Sequence, residues 1–99
     1  MTKTLSAAEV ESACSGLPGW QLAGGALEKT YRFSNFREAL GFMVRVGFEA
    51  EALDHHPDWR NVYNRVVIRL STHDAGDTVT AKDVALAHRI EAVLAAKGT

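Results

Sequence analysis

Residues 54–74 read DHHPDWRNVYNRVVIRLSTHD, and the fold turns on how this stretch is arranged. Val62, Tyr63, Val66, Val67 and Ile68 favour extended backbone, so Asp58 to Leu70 is predicted to be β-structure. It forms either one long strand or two strands turning at Tyr63-Asn64, since asparagine tolerates the left-handed turn conformation. Chemistry bears on the choice. From His56 to His73 is 17 residues, which fully extended would span about 56 Å. A hairpin would instead bring Asp54-His55-His56-Pro57 beside Ser71-Thr72-His73-Asp74. A shared site and a hairpin therefore support each other.

Working outward, Pro57 closes the helical region before it, because the residue preceding a proline is driven from the helical basin. Asn35 and Glu38 form the signal that opens this helix, which is expected to run to about Leu53. Phe36, Leu40, Met43, Gly47 and Ala50 make one apolar stripe, and Phe42, Val46 and Leu53 make a second. Two stripes imply burial on more than one side, with the extra face available for a subunit contact. Gly41 and Gly47 lower helix propensity unless close packing offsets the loss. Before this helix, Trp20 to Phe33 reads as a β-hairpin around Gly24-Gly25, with Leu27, Tyr31 and Phe33 at even spacing. Lys29 interrupts that face, so the second strand is expected to be half exposed or to lie at an edge. Ser6 and Glu9 form a capping box for a first helix that Gly16, Pro18 and Gly19 stop. Cys14, near its end, reads as a small packing residue.

Beyond His73, Asp74-Ala75-Gly76-Asp77 is a loop. Thr80 and Asp83 then cap a last helix that carries Leu86, Ile90, Val93 and Leu94 on one stripe. Lys97 suits the negative end of that helix's dipole, and Gly98 follows it. The order αββαββα predicts an α+β two-layer sandwich: a four-stranded antiparallel sheet with the helices packed on one face. Residues 1–99 read as a single domain.

With 99 residues, there is room for one small core and not two. The chain is 46% hydrophobic and 23% charged, which places it among folded rather than disordered sequences. Eleven basic against twelve acidic residues leave a formal charge of −1, so composition gives no case for nucleic acid or an anionic membrane. The apolar runs are too short to span a bilayer, and MTKTLSAAEVESACS lacks the apolar core of a secretion signal. A lone cysteine fits a reducing compartment. The expectation is a soluble, cytoplasmic protein.

Three histidines, His55, His56 and His73, sit beside predicted loops with carboxylate or hydroxyl neighbours. Histidine exchanges protons near neutrality, with an unperturbed pKa of about 6.5. Clustering three in a small domain points to acid–base chemistry. His88, inside the last helix, reads as surface or packing. Two other readings stay open. Asp-His and His-Pro pairs also serve as helix-ending and turn chemistry. Three histidines with Asp54 or Asp74 are also metal-ligand types, although no H-x-H, H-x-x-x-H or cysteine pair occurs. Trp20, Trp59 and Tyr63 offer either a stacking surface for a flat heterocycle or core packing.

The run Glu51-Ala-Leu-Asp-His55-His56-Pro57-Asp-Trp59-Arg-Asn61-Val-Tyr63-Asn64, followed by Leu70-Ser-Thr-His73-Asp, closely resembles the signature of the pterin-4a-carbinolamine dehydratases. Gly19-Trp20, Tyr31-Arg-Phe33-Ser-Asn-Phe36 and Gly41-Phe42-Met43-Val-Arg45-Val46 extend the resemblance from about Trp20 to Leu94. It implies a hydro-lyase that dehydrates 4a-hydroxytetrahydrobiopterin to quinonoid dihydropterin in tetrahydropterin recycling, in a pathway shared with aromatic amino-acid hydroxylases. It also implies an αββαββα subunit in a homodimer or homotetramer, with no metal or organic cofactor; the charge balance and short apolar runs add the expectation of no nucleic acid and no membrane. The family's catalytic histidines carry over onto His55, His56 and His73. Glu51, Asp54, Ser71, Thr72 and Asp74 are the implied substrate-binding neighbours. His73 and His55 are candidates for the acid–base pair, and His56 for binding and orientation. One departure is the loop beyond the third histidine, where the usual Gly-Gly reads Gly76-Asp77. The competing reading is a non-catalytic binding or assembly factor, as in RuBisCO-associated or coactivator-like relatives; retention of all three histidines counts against it.

Overall fold

The computed structural model describes residues 3–97, with the side chains of residues 96 and 97 left out, so Gly98 and the cap it suggests lie outside the described residues. Seven elements follow in the expected order: α1 (Ala7–Cys14), β1 (Gln21–Ala23), β2 (Ala26–Arg32), α2 (Phe36–Ala52), β3 (Asp58–Val62), β4 (Arg65–Leu70) and α3 (Ala81–Lys97). The strands form one antiparallel sheet in the order β1-β2-β4-β3. Leu27, Tyr31, Val66, Ile68 and Leu70 alternate toward the helices and are all buried, and they meet Phe42, Val46, Leu86 and Ile90 in a single core. No described helix is long and apolar enough to cross a membrane.

Local signals explain where most elements start. The Ser6 hydroxyl accepts from the Glu9 N–H at 3.1 Å, and the Glu9 carboxylate accepts from the Ser6 N–H at 2.8 Å, completing the capping box of α1. Asn35 Oδ1 accepts from the Glu38 N–H at 2.9 Å at the start of α2. Gly24 and Gly25, at φ 57° and 82°, make the two-residue turn of the first hairpin, a conformation that needs positive φ at both positions.

Three local expectations change. First, of the two alternatives for β2 the half-exposed strand holds, with Thr30 and Arg32 exposed, and the edge strand does not, because β2 lies between β1 and β4. Lys29 sits on its core side without breaking the face: its ammonium donates to Glu91 Oε2 at 2.8 Å and to the Pro18 carbonyl at 2.7 Å, and lies 4.7 Å from the centre of the Tyr31 ring. The same Glu91 oxygen accepts from Trp20 Nε1 at 3.1 Å and from the Tyr31 hydroxyl, tying α3 to the sheet. Second, α2 has one buried stripe, Ala39, Phe42, Val46 and Ala50, with Met43 and Leu53 at its margin. Phe36 and Leu40 belong to a different face and stay exposed, because the sheet meets α2 along Phe42, whose ring lies 4.8 Å from that of Tyr31 and 4.9 Å from that of Phe33. Third, the β3–β4 hairpin turns at Tyr63-Asn64 as expected, but Tyr63 takes the positive φ of 51°. Asn64 is used otherwise: its side-chain amide donates to the Phe33 carbonyl at 2.8 Å, and its backbone carbonyl accepts from the Phe33 N–H at 2.8 Å. Asn61 steadies the turn from the other side by donating to the carbonyls of Tyr63 and Arg65.

Candidate active site

The end of α2 aims the first two histidines. Its last turn closes as a Schellman motif, in which the Asp54 N–H donates to the Glu51 carbonyl at 3.1 Å and the His55 N–H to the Ala50 carbonyl at 3.0 Å. The left-handed residue of that motif is usually glycine, and here it is Asp54 at φ 51°. The helix therefore ends at Ala52, five residues before Pro57, and the reversal sends the two adjacent rings to different places. His55 turns inward, with 11% of its side chain exposed, whereas His56 is 59% exposed and meets Glu51 Oε1 at 2.8 Å.

His55 Nε2 lies 2.5 Å from Asp83 Oδ1, a carboxylate with no exposed surface. Asp83 belongs to the start of α3, where its Oδ2 accepts from the Thr80 N–H at 2.8 Å. The same oxygen accepts from the Thr72 hydroxyl at 2.8 Å. The hydroxyl directions follow from the carboxylate being an acceptor only: Thr72 donates to Asp83, so Thr80 donates to Thr72 across 2.6 Å, and Thr80 Oγ1 accepts from the Lys82 N–H at 3.2 Å. No described side-chain polar atom is buried without a hydrogen-bond partner, so this network is closed. An ionised Asp83 places the neutral imidazole proton of His55 on Nε2 and leaves Nδ1 as the basic nitrogen.

The third histidine stands on the opposite lip. After β4 ends at Leu70, Thr72 pairs with Thr78 and a short 3₁₀ turn, His73–Ala75, begins. Gly76 and Asp77 both take positive φ, at 80° and 60°, which folds the loop back so that the Asp77 carboxylate reaches His73 Nδ1 at 3.1 Å. The hydrogen bond that the His73 ring donates to Asp77, then the charges of Asp77 and Asp74, push the His73 pKa above the ordinary histidine value. His73 is 91% exposed and therefore open to a ligand at the rim. Of the three described non-glycine residues with positive φ, Asp54 and Asp77 flank this site, where backbone strain tends to gather.

Asp54, His55, His56, Ser71, Thr72, His73, Asp74 and Lys82 line one cleft of about 260 Å³. The hairpin therefore brings together the two segments that the sequence paired. Glu51 does not line the cleft and reaches it only through His56. Thr72 is buried, with its hydroxyl turned to Asp83, so it serves the frame of the site more than its mouth. Lys82 and Asp83 were not among the expected site residues. Lys82 carried a faint signal, since a cation in the first turn of a helix opposes the dipole that favours anions there. Asp83 carried a misleading one: as a capping residue its presence was already explained. Among the described residues, no three His, Cys, Asp or Glu side chains gather as ligands for an ion.

Residues 3–93 match the model of the family described as pterin 4 alpha carbinolamine dehydratase. A protein of Opitutus terrae named "Putative pterin-4-alpha-carbinolamine dehydratase" is 58% identical over 94% of this chain and 96% of its own length. A protein of the same name in Solibacter usitatus is 46% identical over 96% of this chain and 99% of its own. The crystal structure of a transcriptional coactivator/pterin dehydratase from Brucella melitensis superposes with a TM-score of 0.87 at 38% identity, covering 92% of this chain and 98% of that one. The match reaches into all seven elements and covers the whole of the histidine cleft, and the chain belongs to the pterin-4-alpha-carbinolamine dehydratase family.

Proposed function

We propose that this chain dehydrates 4a-hydroxytetrahydropterin to quinonoid dihydropterin by histidine acid–base catalysis, in tetrahydropterin recycling. The observation that carries the reading is His55, held through Nε2 by the buried Asp83 at the base of a cleft whose rim carries His56 and His73. Dehydration breaks the C4a–O bond, sends the hydroxyl away as water with one added proton, and forms the C4a=N5 double bond as N5 loses its own. The two proton transfers need one acid and one base. His73 suits the acid, because Asp77 and Asp74 favour its imidazolium. His55 suits the base, because Asp83 fixes its proton on Nε2 and stabilises the cation formed when Nδ1 takes a second. His56, Ser71, Asp54 and Asp74 are left to orient the pterin, whose polar edge carries both donors and acceptors. No covalent nucleophile is required.

The working form we propose is a homodimer or homotetramer. Phe36, Leu40, Val44 and Phe48 recur every fourth residue along α2 and are 45%, 47%, 52% and 72% exposed. Such a ridge is the element that interdigitates when helices pack at about −50°, and monomeric proteins seldom expose a contiguous apolar strip of this kind. Stopped-flow dehydration of enzymatically generated 4a-hydroxytetrahydropterin tests the activity. Wild type is expected to accelerate water loss, and His73→Ala and His55→Ala each to lose about 10²–10⁴-fold while staying folded. Well-folded wild type without acceleration would refute the reading and leave a binding role.

A further inference from the structure

The face of the sheet turned away from the helices carries a second concentration of charge. Along β2, β3 and β4 the residues that alternate away from the core are Glu28, Thr30 and Arg32, then Asp58, Arg60 and Val62, then Arg65, Val67 and Arg69. The register sets Arg32 directly opposite Arg65, with Val62 on the other side of Arg65. Arg60 lies opposite Val67 and so stands diagonal to both Arg65 and Arg69. Directly opposed side chains have Cβ atoms about 4.5–5.5 Å apart and diagonal ones about 7–8 Å, within the reach of arginine.

The four arginines are not equivalent. Arg69 is neutralised: Nη1 donates to Glu28 Oε2 at 2.6 Å, and Asp58 stands opposite it. Arg32, Arg60 and Arg65 have no ion-pair partner among the described residues. Like charges directly opposed across a sheet are destabilising, and the Arg32–Arg65 pair is left uncompensated in a chain whose formal charge is −1. A local rule broken without compensation inside the fold points to a partner outside it. Asp58, Trp59, Arg60, Arg65, Val67 and Arg69 line a depression of about 330 Å³ at this place, on the opposite side of the sheet from the core.

We propose that this arginine cluster binds a compact phosphate-bearing anion with two or more charges, such as a pyrophosphate or a phosphomonoester. Planar guanidinium forks match phosphate oxygens two at a time, and three of them around Val67 suit concentrated charge better than a single carboxylate. A single-stranded nucleic acid fits less well. Although Trp59 borders the depression, its side chain belongs to the other side of β3, opposite Ile68 and against the core, and none of the described strand residues that face outward here is aromatic.

The test is a titration of the full chain with inorganic pyrophosphate at physiological salt, followed by amide and arginine side-chain NMR. The proposal expects saturable shifts at Arg32, Arg60 and Arg65 with sub-millimolar affinity, and none at His55 or His73. Arg65→Gln is expected to weaken binding by about tenfold or more, the effect of losing one charge-assisted pair, while keeping or raising the melting temperature because it removes the like-charge contact. Shifts confined to the histidine cleft and Lys82, or equal affinity in Arg65→Gln, would overturn the proposal. An unstructured oligonucleotide that binds this face while pyrophosphate does not would overturn it as well.

Discussion

At the scale of single residues, the site separates into three histidines with three environments. His55 is buried on Asp83, His56 is exposed beside Glu51, and His73 is exposed beside Asp77. The His73 pKa is raised, so the fold stabilises the imidazolium over the neutral ring, and its contact with Asp77 is fully present below the unfolded-state value. That stabilisation is lost as pH rises through the higher folded-state value. Asp77→Asn removes the largest of the causes. Its expected result is a downward move of the His73 midpoint toward the ordinary histidine value, read from the imidazole Hε1 resonance, with the His55 and His56 resonances unchanged. An unmoved midpoint would mean that Asp77 does not set the charge of His73. All three histidines were legible in the sequence because their residue type states their chemistry. The difference between them was not, because it depends on which carboxylate the fold delivers to each ring.

At the scale of elements, the turn after α2 matters most. Asp54 occupies the left-handed position that lets His55 turn inward three residues past the last residue of the helix. A non-glycine residue pays about 1–2 kcal/mol in that conformation, with Asp and Asn the least penalised. Asp54→Gly is therefore expected to be more stable than Asp54→Ala by about 1 kcal/mol. Urea unfolding of the two variants measures this, and equal stabilities would mean that the turn relaxes out of its left-handed state. The capping signals at Ser6, Asn35 and Thr80 were readable because each couples a side chain to a backbone N–H three residues away or fewer. The position of β2 inside the sheet was not, since Lys29 is made compatible with burial by Glu91, 62 residues along the chain. Asp83 shows the same limit in a functional residue. Its bond to Thr80 is local and was visible, and its bond to His55 crosses 28 residues and was not.

For the molecule as a whole, two layers leave two outer surfaces, and each is marked. The helical side exposes the Phe36–Leu40–Val44–Phe48 ridge, and the sheet side exposes the arginine cluster. The overall architecture followed from the capping and turn signals, together with the shared-site argument that favoured a hairpin over one long strand from Asp58 to Leu70, because seven short elements around one core allow few arrangements. Which apolar stripe of α2 faces inward did not follow, since both stripes have helical spacing and only the packed sheet chooses between them. If the ridge joins subunits, Phe48→Glu is expected to lower the mass measured by light scattering to that of a monomer while leaving the circular dichroism spectrum intact. An unchanged mass would place the subunit contact elsewhere or show that none forms.

The account depends most on Asp83 making His55 a base, and one kinetic comparison addresses this directly. Asp83→Asn keeps an oxygen for Thr72 and the Thr80 N–H but turns an amide N–H toward His55, which forces the ring into the opposite tautomer. Single-turnover dehydration of 4a-hydroxytetrahydropterin is expected to slow by about 10²–10⁴-fold in this variant, with binding of a stable tetrahydropterin unchanged. A folded Asp83→Asn protein that dehydrates at the wild-type rate would contradict it.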